Sequence, residues 1–357
     1  MARIVVPSVE GILTADEVQA TVDRIAEWQL ADGMIPWFPG GHADPWNHVE
    51  AAMALALGGR VAEAERAYDW LVGLQRPDGA WHQYYVEGGV EDDKFDLNVV
   101  AYVAAGVAPL PAHARPRLRR GDVARGREGH RLRARAPAAP RRDPLGPPRR
   151  RHAVALRPAH RLVEHLPLAA LRHRPRRGAR PRAPRLGAEL GAARRRHRQP
   201  RGRRLRPKHR WAMDWYYPVL GGAVVGEAGR ARLAERYETF VDDERGVRCV
   251  KDRPWITVAE TCECVMAHLA VGEREIGERL FGWIQQYRVE SGRYWTGTVY
   301  PDLTHFPADE QSTYTAAAVV LAADALWGEG PTSALFADHD AVLPRLLDIP
   351  DDDPVRD

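Results

Sequence analysis

Three carboxylates (Asp96, Asp214 and Glu260) and five aromatics (Trp37, Tyr216, Tyr217, Trp295 and Tyr314) are this sequence's best candidates for chemistry on a small molecule. Asp44, His48 and Glu50 stand close together along the chain and join them. Two carboxyl groups that face each other can divide the work of acid and base, the division that cleavage of a glycosidic bond requires. Aromatic faces stabilise cations and equally suit a sugar ring. The same residues therefore admit isoprenoid chemistry through a carbocation or carbohydrate chemistry through paired acids. Taken singly, each acid is as well explained as a helix cap or an ion-pair partner. We assign Asp96, Asp214 and Glu260 as catalytic candidates, and Trp37, Asp44, His48, Tyr216, Tyr217, Trp295 and Tyr314 as substrate-binding candidates.

No metal is assigned. Cys262 and Cys264 are two apart, so on a helix they point to different faces, whereas Cys264 and His268 are four apart and share one. A Cys–His pair can ligate zinc, but a buried structural cysteine is far commoner. The residues imply no particular cofactor. The acidic runs Asp92-Asp93, Asp242-Asp243 and Asp351–Asp353 read as solvated surface.

Helical hairpins must position these side chains. Thr14 and Glu17 form a capping box before Val18, Val22 and Ile25, and Asp44-Pro45 places an N-cap before a proline at the first helical position. The apolar spacing predicts helices over 46–57, 61–75, 212–221, 231–240, 258–270, 276–287 and 313–327, with little strand-like alternation. The fold class is therefore all-α. A pattern recurs at hairpin ends: Gln29 to Gly33 and Trp37, Gln75 to Gly79 and Trp81, and Gln285 to Gly292 and Trp295. Glycine supplies the left-handed turn, glutamine can bond helix-end carbonyls, and tryptophan is expected to pack over the corner.

The Gln-x-x-Asp-Gly-x-Trp pattern resembles the repeat of terpenoid cyclases and protein prenyltransferases. A closer likeness is to an actinobacterial family described as prenyltransferases. It is carried by Ile35 to Trp37, His42 to Met53, Trp211 to Gly222, Gly246 to Cys249, Trp255, Ala259 to Thr261, Tyr294 to Gly297 and Thr313 to Ala316. The resemblance implies an (α/α) toroid, with inner and outer rings of helices around a cavity, and a prenyltransferase-like activity on an isoprenoid. The Asp-x-Asp-Asp acid of class II cyclases is absent. The rival reading is a six-hairpin glycosidase-like enzyme acting on a glycan; a third is a non-catalytic toroid that binds lipid or glycan.

The charge is uneven. The 357 residues carry a net +4, yet residues 108–207 hold 31 Arg, no Lys and 5 acids, while the other 257 hold 21 basic and 43 acidic side chains. That segment uses only the ten residue types whose codons begin with G or C, so it reads as frameshifted sequence with no stable fold. Nucleic-acid-binding arms often interleave Lys, Ser or aromatics, none of which occurs there, so no nucleic-acid partner is assigned. The expected organisation is a toroid in two parts, 1–107 and 208–330, separated by 108–207 and followed by an acidic tail, 331–357. No stretch approaches the roughly 18 apolar residues of a membrane span. Three cysteines make no disulfide framework. No stable membrane insertion is expected, and the expected location is the cytoplasm.

Overall fold

The computed structural model describes residues 5–77, 79–94, 209–329 and 333–337, with the isolated positions 96, 99, 102, 103 and 106. The segment 108–207 and most of the tail 331–357 lie outside the described residues. The described chain is mainly helical, the architecture of an (α/α) toroid. Its helices are α1 (Ala15–Glu27), α2 (Pro45–Leu57), α3 (Val61–Gly73), α4 (Met213–Leu220), α5 (Gly226–Phe240), α6 (Val258–Leu269), α7 (Arg274–Trp283), α8 (Thr313–Trp327) and α9 (Ser333–Ala337).

Two layers follow from the sequences of the helices. α8 reads Thr-Tyr-Thr-Ala-Ala-Ala-Val-Val-Leu and is buried along nearly its whole length, as is α2. A helix apolar all round belongs inside. α1, α3, α5 and α7 bury a few positions each and leave the rest to solvent, so they form the outer layer. Inside, α2 packs on α8, α8 on α6, and α6 on α4.

The starts of these inner helices meet at one end. The Thr313 N–H donates to the Trp37 carbonyl (2.8 Å), and the Thr313 hydroxyl donates to that of Pro36 (2.8 Å). The Val258 N–H donates to the Thr296 carbonyl (3.2 Å), and the Thr296 hydroxyl bonds Ser312, the cap of α8 (3.0 Å). The Ala212 N–H, before α4, donates to Cys249 (3.0 Å). Between α1 and the turn beyond α7, the Thr21 hydroxyl donates to the Gly292 carbonyl (2.8 Å) and Arg293 pairs with Glu27 (2.7 Å).

The caps read from sequence are present. Thr14 and Glu17 complete the capping box, and the Asp44 carboxylate accepts the Asn47 N–H (3.0 Å). α5 begins at Gly226, earlier than the pattern indicated, and α7 gives way to a 3-10 turn at Ile284–Tyr287. Two small antiparallel sheets have no counterpart in the sequence reading. One is the hairpin β1 (Tyr84–Val86) and β2 (Gly89–Asp92). The other is a meander of β3 (Val241–Asp242), β4 (Gly246–Arg248), β5 (Trp255–Thr257), β6 (Gly297–Val299) and β7 (Thr304–His305). Strands this short carry too few positions to show a period of two.

The hairpin-end repeat is real in geometry. Gly33, Gly79 and Gly292 have φ of +98°, +80° and +90°. Gln29 and Gln75 each donate not to a helix-end carbonyl but to that of the turn glycine four residues on (3.2 and 3.0 Å). Gln285 does bond its own helix, at Phe281 (2.9 Å), and Gln286 bonds the Trp283 carbonyl (2.8 Å). Trp81 does pack at its corner, donating to Leu71 (2.7 Å). Trp37 and Trp295 do not, because their rings go to the mouth and its sheet.

Candidate active site

The mouth is formed where α2, α6 and α8 begin. Asp44 is the N-cap of α2, and one of its oxygens accepts the Trp37 indole N–H (2.9 Å). Burial raises its carboxyl to about 6, against the pull of the bonds from Asn47 and Trp37. The Trp37 ring meets Tyr314 edge-on (4.9 Å), Tyr84 (6.0 Å) and His42 (4.4 Å). Tyr314 opens α8 and is raised well above the ordinary phenol range, by burial and then by the charges of Glu310 and Glu260. Glu260, half-buried in the first turn of α6, accepts the Cys249 thiol (3.0 Å). Asp44 thus bonds Trp37, Trp37 meets Tyr314, and the Glu260 charge acts on Tyr314.

A second pair of acids lies beneath. Glu50 on α2 accepts the Trp46 indole N–H (3.1 Å). Glu263 on α6, one turn after Glu260, accepts the hydroxyls of Tyr216 and Tyr217, the latter at 2.7 Å. Trp46 stacks on Tyr102 (4.8 Å) and tilts against Tyr217 (5.8 Å), joining the two acids in one aromatic cage. Burial pushes Glu50 up to about 7 and Glu263 well above the carboxylate range; the Asp44 charge raises Glu50 further, and the charges of Glu50 and Glu260 raise Glu263.

The sequence candidates separate in space. Trp37, Asp44, Glu260 and Tyr314 come together at the mouth; Tyr216 and Tyr217 bond Glu263 below it. Asp96 is on the Tyr84 side and raises that phenol. Asp214 is buried at the start of α4, near Arg232, whose guanidinium bonds the carbonyls of Asp214 (2.8 Å) and Trp215 (2.7 Å). His48 faces the outer layer: Nδ1 accepts the Ile35 N–H (3.2 Å) and Nε2 lies 2.9 Å from the Ala67 carbonyl. Trp295 stacks on His305 (3.9 Å). Glu263 and Glu310 escaped sequence reading. For Glu263 the missed signal was an acid three residues after Glu260, within the apolar run of α6.

Among the described residues no group of three or more His, Cys, Asp and Glu side chains is arranged to hold a metal ion. Cys264 is buried, and the His268 Nδ1 lies 2.7 Å from Glu273. Among the described residues no helix is long and apolar enough to cross a membrane.

No family model matches the chain. It is 39% identical, over 96% of its length and 94% of the relative's, to the MMP endo-(1,4)-3-O-methyl-α-D-mannosidase of Mycolicibacterium hassiacum. Among solved structures it resembles a glycosidase in complex with glucose (TM-score 0.60, 14% identity, 88% of this chain and 96% of that one). A variant glycosidase superposes with a TM-score of 0.62 at 16% identity over the same shares. At such identities the solved structures establish the fold alone. The relative overturns the prenyltransferase, terpenoid cyclase and transferase readings. The hairpin-end motif that suggested them serves turn geometry, which toroids of different chemistry share.

Proposed function

The chain belongs to the family of that mycobacterial mannosidase, and on that premise we propose that it is a glycoside hydrolase whose substrate is a (1→4)-linked 3-O-methyl-α-mannose chain, cut internally. The reading is supported by one run of contacts: Asp44 accepts the Trp37 indole N–H, Trp37 meets Tyr314 edge-on, and the Glu260 charge acts on Tyr314. Asp44, raised to about 6, retains its proton in mildly acidic solution and acts as general acid on the glycosidic oxygen as the bond to the anomeric carbon breaks. Glu260 is half-exposed, so water can reach it. It takes the proton of the attacking water, and the oxygen of that water joins the anomeric carbon. The Trp37, Tyr314 and Tyr84 rings offer apolar faces for the methyl groups and C–H faces of the sugar. The substrate is a glycan; nothing in the relatives supports the isoprenoid alternative.

Incubating the full chain with a (1→4)-linked 3-O-methyl-α-mannose oligosaccharide, and resolving the products by mass spectrometry, tests the proposal. Shorter oligosaccharides are expected from the parent. Asp44→Asn and Glu260→Gln should each lower kcat by roughly 10²–10⁴-fold while keeping the parental far-ultraviolet circular dichroism. Undiminished cleavage by both variants would refute the assignment.

A further inference from the structure

Of the two acids in the mechanism above, Glu260 is the one held by sulfur. Its Oε1 accepts the Cys249 thiol at 3.0 Å, and among the described residues no other group is hydrogen-bonded to this carboxylate. A base must hold one oxygen toward the water it activates. A glutamate side chain without an anchor rotates among several conformers and spends little time in the productive one.

Cys249 is well placed to be that anchor, because it is fixed on both sides. It follows β4 and is 3% exposed. Its N–H donates to the Trp255 carbonyl of β5 (3.0 Å), and its carbonyl accepts the Ala212 N–H at the entry to α4 (3.0 Å). β4 also grips α6 at the residue after Glu260. The Val247 N–H donates to the Thr261 hydroxyl (2.8 Å), which donates in turn to the Thr257 carbonyl (2.7 Å). A Cβ on Gly246 would stand 2.8 Å from that hydroxyl, so strand and helix are in close approach. The first turn of α6 is thus tied to the sheet through Thr261 and through the carboxylate of Glu260. Burial first, and then the Glu260 charge, hold the Cys249 thiol well above its ordinary range. It therefore keeps its proton and donates. A thiol is a weak, uncharged donor, so it orients the carboxylate without pairing it with a cation.

We propose that Cys249 is a positioning residue for Glu260, whose thiol anchors Oε1 and leaves Oε2 to face the attacking water. The bond stands on geometry; its effect on turnover rests on the assignment of Glu260 as the base. Loss of the anchor should act on kcat and spare KM, since a buried thiol does not touch the sugar.

The S–H stretching band is clear of other protein absorption, so infrared spectroscopy of the full chain tests the bond directly. The three cysteines are all buried free thiols, and subtracting the spectrum of Cys249→Ser isolates the band of Cys249. The same subtraction in a Glu260→Gln background replaces the carboxylate by a neutral amide. The Cys249 band is expected at lower frequency in the parent, because a bond to a charged acceptor is about twice as strong as one to a neutral acceptor. An identical frequency in the two backgrounds would overturn the bond. Kinetics on the (1→4)-linked 3-O-methyl-α-mannose oligosaccharide test the role. Cys249→Ala should lower kcat roughly tenfold, the worth of one hydrogen bond, with KM within about twofold of the parent. Cys249→Ser keeps a donor and should restore kcat to within about threefold. An unchanged kcat in Cys249→Ala, a loss confined to KM, or a serine variant no better than alanine would each overturn the positioning role. Where the alanine variant fails to fold, Cys249→Val, which fills the space and donates nothing, takes its place. Full activity of Glu260→Gln would instead sink the base assignment, and the effect on turnover with it, while leaving the infrared result intact.

Discussion

At the scale of single residues, the site's properties come from burial opposed by a few hydrogen bonds. Asp44 shows the balance best. It caps α2 and accepts Trp37, and both contacts favour the carboxylate, yet desolvation outweighs them and raises the group to about 6. Two outcomes follow. As general acid, Asp44 must be protonated, so kcat/KM should fall as pH rises through about 6; a profile flat through that range would exclude it as the acid. For stability, a carboxyl with a raised folded pKa favours the fold most at pH below its unfolded value. That contribution is lost as pH rises from the unfolded value to the folded one. The loss amounts to about 3 kcal/mol at most. Asp44→Asn has one acceptor oxygen for two donors, the Asn47 N–H and the Trp37 indole, so it loses a bond at every pH. The parent's own advantage shrinks as pH rises through about 6, so the gap in melting temperature should be widest in acid and narrow toward neutrality. A gap independent of pH would show that burial of this carboxyl costs nothing.

At the scale of elements, tight corners hold the hairpins at their angles. Gly33 has a left-handed φ of +98°, and a Cβ there would run into the Arg66 carbonyl of α3. Gly33→Ala is expected to destabilise by at least about 2 kcal/mol, combining backbone strain with a clash against main chain; a change below half that in urea unfolding would mean the corner yields. The Thr21 hydroxyl of α1 binds the distant Gly292 carbonyl, so Thr21→Val should cost about 1 kcal/mol or more, because a buried carbonyl loses its donor. These corners were legible in sequence, as were Thr14, the Asp44-Pro45 start and the apolar α8, because caps, glycine turns and helical periodicity are local signals. The sheets were not, since strands of two to four residues are defined by distant partners. In sequence Asp44 was a binding candidate and Glu260 a catalytic one, both at helix starts, whereas Glu263 looked like one more position of a helix; the structure adds the bonds of Tyr216 and Tyr217 to it from α4. Asp214 and His48 looked equally promising in sequence; only packing shows that Arg232 and the main chain of Ile35 and Ala67 surround them.

At the scale of the whole molecule, the net charge of +4 adds two unlike parts. Outside residues 108–207 the chain is acidic, in keeping with a mouth built from carboxylates and neutral aromatics rather than from cations. We propose that the ten-type composition of 108–207 reflects codons read out of frame. Resequencing the gene is expected to find one shift near codon 107 and a compensating one near codon 208; an uninterrupted frame with confirmed bases would refute that reading. The mannosidase relative decides between transfer to an isoprenoid and hydrolysis of a glycan, and the proposed roles of Asp44 and Glu260 are the central claim. The most direct measurement is therefore cleavage of a (1→4)-linked 3-O-methyl-α-mannose oligosaccharide by the parent, Asp44→Asn and Glu260→Gln proteins side by side. The expected result is internal cleavage by the parent and a loss of roughly 10²–10⁴-fold in each folded variant; full activity in either would contradict the assignment of that carboxylate.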